Sequence, residues 1–142
     1  MTNWYEITAK YPKEQENGKI KKVSEKYLVS AVCVADAERT VLADLQQFIK
    51  DEIEISSAVQ KPISEIFKGE DDVCNVWYKC KLSFLTVDEK TGKDKKVPVY
   101  MMVLAADFDD AVAVLKKGME GTMADWIIAS VQETAILDVY GC

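Results

Sequence analysis

The chain has 142 residues, of which 49% are hydrophobic, and its formal net charge is −6. This length and apolar content favour one compact domain and argue against disorder, while the negative charge disfavours long-range attraction to nucleic acid. The chain contains no histidine and its four cysteines form no Cys-x-x-Cys pair. Histidine-based catalysis is therefore excluded, and no metal site, phosphate-binding glycine loop or cofactor is indicated.

The composition also bears on location. The N-terminus lacks a basic start followed by an apolar run, so no signal peptide is predicted. The longest apolar run covers residues 97–106, which is too short to span a bilayer. We therefore expect a cytoplasmic protein that does not enter the membrane. Its cysteines should be reduced and mostly buried, except for the terminal thiol of Cys142.

The first half of the chain predicts strand, turn, strand, helix and strand in that order. From Trp4 the apolar residues alternate with polar ones, as expected of a strand with one buried face. Asn17-Gly18 predicts a hairpin turn before a second strand at about 22–32. An apolar stripe at spacings of three and four then predicts a helix, and a third strand follows at about 52–59. The stripe consists of Val34, Ala37, Val41, Leu45 and Phe48.

The second half repeats this order. A strand begins at Trp77, Thr91-Gly92 predicts the turn, and the second strand covers about 96–105. Asp107 is predicted to cap the N-terminus of the second helix, whereas Cys33 is a weaker cap at the matching position of the first. The last strand is predicted at about 125–132.

The two halves match over their whole length. Trp4-Tyr5 corresponds to Trp77-Tyr78, and "NGKIKKV" corresponds to "TGKDKKV". The sequence therefore predicts one domain, 1–142, built of repeats 4–67 and 77–140 that are joined by a linker, 68–76. The predicted fold is α+β: a tandem duplication of a ββαβ unit that forms an antiparallel-rich sheet with the helices packed on one face.

The strand phase separates the two sheet faces. Tyr5 and Tyr78 are predicted to face the helices, and the opposite face is mostly polar in the first repeat. In the second repeat the opposite face is apolar, which is typical of an interaction surface. Its predicted members are Tyr100, Met102, Leu104, Ile127, Ala129 and Val131. Three explanations stay open: cover by the C-terminal segment or the linker, a homodimer, and a different partner or ligand.

A second hypothesis concerns aromatic and basic residues. Trp4 and Trp77 lie on the face away from the helices, and the hairpin arms are rich in lysine. Stacked aromatic rings beside lysines are typical of single-stranded nucleic-acid binding, although burial of the rings and solvation of the lysines are simpler explanations. The lysines in question are Lys21, Lys22, Lys95 and Lys96.

The whole chain from Trp4 to Tyr140 resembles an uncharacterised family, domain of unknown function number 4494. The residues that carry the resemblance include "WYE", "YLV", "GMEGTMADW" and "LDVY". The resemblance implies a single-domain bacterial protein and carries no activity, cofactor or functional residue with it.

Together these features predict a non-enzymatic binding or assembly module without catalytic residues. It would form a homodimer or bind another protein through the outer sheet face of the second repeat. The alternative is single-stranded nucleic-acid binding through the tryptophans and lysines named above.

Overall fold

The computed structural model describes residues 3–70 and 73–141, and Cys142 lies outside the described residues. It confirms the α+β class. These residues contain two helices and eight strands, and the strands form two mixed four-stranded sheets where the sequence predicted a single sheet. The elements are β1 (Asn3–Glu14), β2 (Ile20–Ala31), α1 (Val34–Leu45), β3 (Glu54–Lys61), β4 (Ile63–Lys68), β5 (Val76–Val87), β6 (Asp94–Ala105), α2 (Phe108–Gly118), β7 (Trp126–Glu133) and β8 (Ile136–Tyr140).

The described residues divide into two compact units. The first unit contains residues 3–61 and 135–141, and the second contains residues 62–70 and 73–134. In the first unit the strand order is β3-β1-β2-β8, and in the second it is β4-β6-β5-β7. In each sheet the two long hairpin strands are central and antiparallel, with one antiparallel and one parallel neighbour.

The short strands β4 and β8 were not predicted as strands, and they change the connectivity. Strand β4 follows β3 along the chain but pairs in parallel with β6 of the second unit. Strand β8 follows β7 but pairs in parallel with β2 of the first unit. Each unit is therefore closed by a strand that follows the third strand of the other unit.

Local chemistry explains the turns and caps. Gly18 and Gly92 have φ values of 80° and 69°, the left-handed conformation that their hairpin turns require. The Asp107 side chain accepts a hydrogen bond from the backbone N–H of Asp110, as predicted. Cys33 stands at the same position before α1 and makes no side-chain capping bond, which confirms the weaker cap.

Each unit has its own core between its sheet and its helix. Tyr5 and Tyr78 lie in these cores, which confirms the predicted strand phase. Ala37, Val41 and Leu45 are buried under the first sheet, whereas Phe48 lies beyond the end of α1 and is 77% exposed. The predicted helical stripe therefore ends one turn too late.

Candidate functional site

The structure places most of the predicted interface residues on the outer face of the second sheet, away from α2. Tyr100, Met102 and Leu104 lie on this face of β6, since Met101 and Val103 point into the core. Met102 is only 1% exposed, while Tyr100 and Leu104 are half-buried. Met102 therefore has almost no surface left for a partner.

A β-bulge corrects the predicted face of Val131. Lys81 pairs with Ser130, but the next residue, Leu82, pairs with Ile128, so Ala129 is an extra residue in β7. The bulge shifts the alternation by one, and Val131 packs against the core of the second unit instead of lying on the outer face. Ile127 stays on the outer face and Ala129 is exposed.

The first unit carries the same irregularity. Thr8 pairs with Ser57 and Ala9 pairs with Ile55, so Ser56 is the extra residue of β3. Ala58 consequently packs against the core, although strict alternation had placed it on the outer face.

The exposed apolar surface of the second sheet lies at its hairpin end. We call it the hairpin-end face and define it by Leu85, Val87, Pro98 and Ile127. Leu85, Val87 and Ile127 are 42%, 57% and 44% exposed. Ser83 joins two of the members, because it pairs with Ile127 on one side and with Pro98 on the other.

Charged side chains border this face. A concavity of about 530 Å³ runs along it, and the backbone N–H of Leu85 donates to the carbonyl of Asp125 at 2.9 Å at its edge. Two acidic and two basic residues contribute to the walls of this concavity, which therefore carry both signs of charge. They are Asp94, Asp125, Lys95 and Lys96.

Three of the four matching positions of the first unit are polar, Glu14, Ser24 and Glu54, whereas Leu85 is matched by Pro12. The registers of the two sheets agree there: Glu54 pairs with Lys10 and Lys10 with Ser24, just as Ile127 pairs with Ser83 and Ser83 with Pro98. Glu14 ends β1 as Val87 ends β5. Glu54 is held by the Lys22 ammonium at 2.8 Å, and this hydrogen bond and charge lower the pKa of the carboxyl. The first unit therefore has glutamates where the second unit has Val87 and Ile127, although its hairpin also carries an exposed apolar side chain, Ile20, at 75% exposure.

The aromatic residues of the nucleic-acid hypothesis differ in exposure. Trp77 is only 4% exposed, so its ring has no free face on which a base could stack. Trp4 is half-buried. The lysines Lys21, Lys22, Lys95 and Lys96 are all exposed, but Lys22 is engaged with Glu54.

A tyrosine–carboxylate network lies in the first unit. Tyr11 and Tyr27 donate to the two oxygens of Glu25 at 2.6 and 2.7 Å. Tyr140 donates to Asp44 Oδ2 at 2.6 Å, and its ring stacks on Tyr27 at 5.8 Å between centroids. No local sequence pattern predicts this network, because its members come from four different elements, β1, β2, α1 and β8.

The network raises the pKa of its hydroxyls. Burial, followed by the hydrogen bond to Glu25 and its negative charge, raises the pKa of Tyr11 to about 12. The same causes raise the pKa of Tyr27. Burial and the Asp44 carboxylate raise the pKa of Tyr140. The hydroxyls therefore stay protonated at neutral pH and act as donors that stabilise the fold.

A second concavity, of about 600 Å³, lies beside α2 and β4 in the second unit. Phe67 and Val114 contribute apolar surface to it, and Lys117 at its rim contacts Glu70 at 3.2 Å. Cys74 Sγ is 3.4 Å from Asp110 Oδ2, which also accepts the backbone N–H of Ala106. Asp110 thus has a structural role in holding the start of α2.

Among residues 3–70 and 73–141, no group of three or more cysteine and carboxylate side chains is arranged to hold a metal ion. Neither helix in this part of the chain is long and apolar enough to cross a membrane.

The sequence matches a known protein family. The model of a family described as domain of unknown function DUF4494 matches residues 3–142, which is nearly the whole chain. No curated protein matches the sequence significantly.

Proposed function

We propose that this chain, which belongs to the DUF4494 family, is a non-enzymatic assembly module that pairs with a second copy of itself. The contact surface is the hairpin-end face of the second unit. The observation that carries the proposal is the difference between the units: Val87 and Ile127 are exposed where the first unit has Glu14 and Glu54.

Exposure of these apolar side chains to water is unfavourable in free energy, and a monomeric protein gains nothing from it. Burial of apolar surface contributes about 25 cal/mol per Å², and exposed apolar patches usually mark interaction sites. Glutamate is compatible with the backbone at the matching positions of the first unit, so the fold itself does not require Val87 and Ile127 to be apolar. Binding is the simplest reason for their presence.

The distribution of charge on the chain favours a second copy of the chain as the partner that binds the hairpin-end face. The whole chain has a net charge of −6, so most approaches of two copies are repulsive. The walls of the concavity beside Leu85 and Val87 include two lysines and two aspartates, so opposite charges of two copies can approach each other there. Since the patch is small, we expect a weak dimer that depends on concentration.

We also propose that the chain arose by tandem duplication of a ββαβ unit extended by a closing strand. The support is that β1-β2-α1-β3-β4 and β5-β6-α2-β7-β8 follow the same order along the chain, with the same hairpin registers and a bulge at matching positions, Ser56 and Ala129. An experimental structure with bulges at unmatched positions would contradict this.

A dilution series monitored by amide NMR spectra tests the self-association. We expect the signals of residues 83–98 and 125–128 to shift between micromolar and millimolar protein, and those of β1 and β3 to stay constant. The same series on Ile127→Glu should show no shifts. Spectra that do not depend on concentration, or shifts centred on the first unit, would overturn the proposal.

A further inference from the structure

The two closing strands dock in the same way. Tyr140 of β8 pairs with Val29 of β2, and Phe67 of β4 pairs with Val103 of β6. Both strands are parallel to their neighbours, and both have one register shift near their start. Backbone hydrogen bonds alone therefore cannot determine which closing strand pairs with which sheet. In such short segments they also cannot distinguish the observed register from one shifted by two residues.

Side chains at the helix ends do distinguish them. Asp44 and Gly118 are each the eleventh residue of their helix, and each faces the aromatic residue of the closing strand. In the first unit Asp44 accepts the hydroxyl of Tyr140 at 2.6 Å. Tyr27 of the neighbouring strand stacks on the Tyr140 ring with an interplanar angle of 19°.

In the second unit the contact between the closing strand and the helix end involves no polar groups. The Phe67 ring lies directly against Gly118, where a Cβ atom would come within 2.6 Å of ring atom Cδ1. Only glycine leaves room for the ring in this position. Met101 takes the register position that Tyr27 has in the first unit, so no aromatic stack is formed there.

We propose that the pairs Tyr140–Asp44 and Phe67–Gly118 are the specificity determinants that select the closing strand of each unit and set its register. Phenylalanine at 140 would leave the Asp44 carboxylate without its donor. Tyrosine at 67 would bring a hydroxyl to Gly118, which has no side chain to accept a hydrogen bond. The edge of each sheet, together with its helix end, is thus complementary to only one of the two closing strands. This inference is independent of the proposed dimer, which uses other residues.

A mismatch and its rescue test the proposal in the full chain. The double variant Y140F/F67Y exchanges only the strand residues, and the triple variant that adds D44G gives the phenylalanine at position 140 the glycine partner that Phe67 has in the second unit. Position 118 stays glycine, because a Cβ atom there would clash with the ring at 67. Amide hydrogen exchange of β4 and β8 is measured relative to the central strands. We expect exchange of both closing strands to become at least about tenfold faster in the mismatch variant, and exchange of β8 to slow again in the triple variant.

Single variants decide the matter if the mismatch variant does not fold. Y140F should accelerate exchange in β8 and leave β4 unchanged, and Asp44→Asn, which still offers an acceptor oxygen, should have a smaller effect than Asp44→Leu. Equal acceleration of β4 and β8 in Y140F, unchanged exchange in the mismatch variant, or failure of D44G to slow the exchange of β8 in the triple variant would overturn the proposal.

Discussion

The hydroxyl of Tyr140 lies 2.6 Å from the carboxylate of Asp44, although 96 positions separate the two residues along the chain. This contact joins the last strand to the first helix. Removal of the hydroxyl in Tyr140→Phe should lower the free energy of unfolding by about 1.5 kcal/mol, the low end for hydrogen bonds to charged groups because the site is partly exposed. Urea unfolding measures the change.

Tyr100→Phe is the matched control for that variant. The Tyr100 ring keeps its contact with the Lys79 ammonium, which lies 4.9 Å from the ring centroid. Its midpoint should stay close to that of the unmodified protein, and equal losses in both variants would contradict the role given to Tyr140.

Gly118→Ala should destabilise the protein even though alanine is the better helix former by about 1 kcal/mol. The added Cβ atom would lie 2.6 Å from the Phe67 ring, and a rigid ring cannot bend away as a flexible chain can. We expect a net loss of about 1–3 kcal/mol in unfolding free energy. In a Phe67→Ala background the same substitution should cost nothing, and an equal cost in both backgrounds would contradict the steric explanation.

Stability should decrease in alkaline solution. Tyrosine in the unfolded chain has a pKa of about 10, and in the folded chain the pKa of Tyr11 is raised to about 12. A raised folded pKa contributes stability that is complete below about pH 10 and is lost as the pH rises towards 12. Tyr27 and Tyr140 contribute in the same direction. Denaturant unfolding at several pH values and tyrosinate absorbance test this.

Glu25→Gln provides the control for the alkaline effect. Because Glu25 accepts both Tyr11 and Tyr27, loss of its charge should shift their ionisation towards lower pH and make the stability profile flatter. Titration of all the tyrosines near pH 10 in the unmodified protein would contradict the network.

The cysteines should differ in reactivity. Cys80 has no exposed surface and burial raises the pKa of its thiol to about 11, whereas Cys33 is exposed. Under native conditions a thiol reagent should label Cys33 within minutes and Cys80 only after unfolding, as located by peptide mapping. Rapid native labelling of Cys80 would show that the core of the second unit opens readily.

The sequence predicted what depends on local pattern. Alternation placed Tyr5 and Tyr78 in the cores, and Gly18 and Gly92 marked the hairpins, because these features depend on residues close along the chain. The bulge at Ala129 has no local signal, so the face of Val131 was assigned wrongly.

The closing strands were missed for a different reason. The pairing of β8 with β2 joins residues more than one hundred positions apart, and short parallel strands carry little periodicity. The sequence predicted an interaction surface on the outer face of the second sheet. Because Met102 is buried while Leu85 and Val87 are exposed, the candidate surface lies at the hairpin end of that face.

The most direct test of the assembly proposal is the solution mass from sedimentation equilibrium over a wide range of concentrations. We predict that the unmodified chain shifts from about one to two times its 16.0 kDa, that Ile127→Glu stays monomeric and folded, and that Val32→Glu, an equal charge change at an exposed valine of the first unit, dimerises normally. A monomeric mass for the unmodified chain at all concentrations, or dissociation by both variants alike, would contradict the proposal.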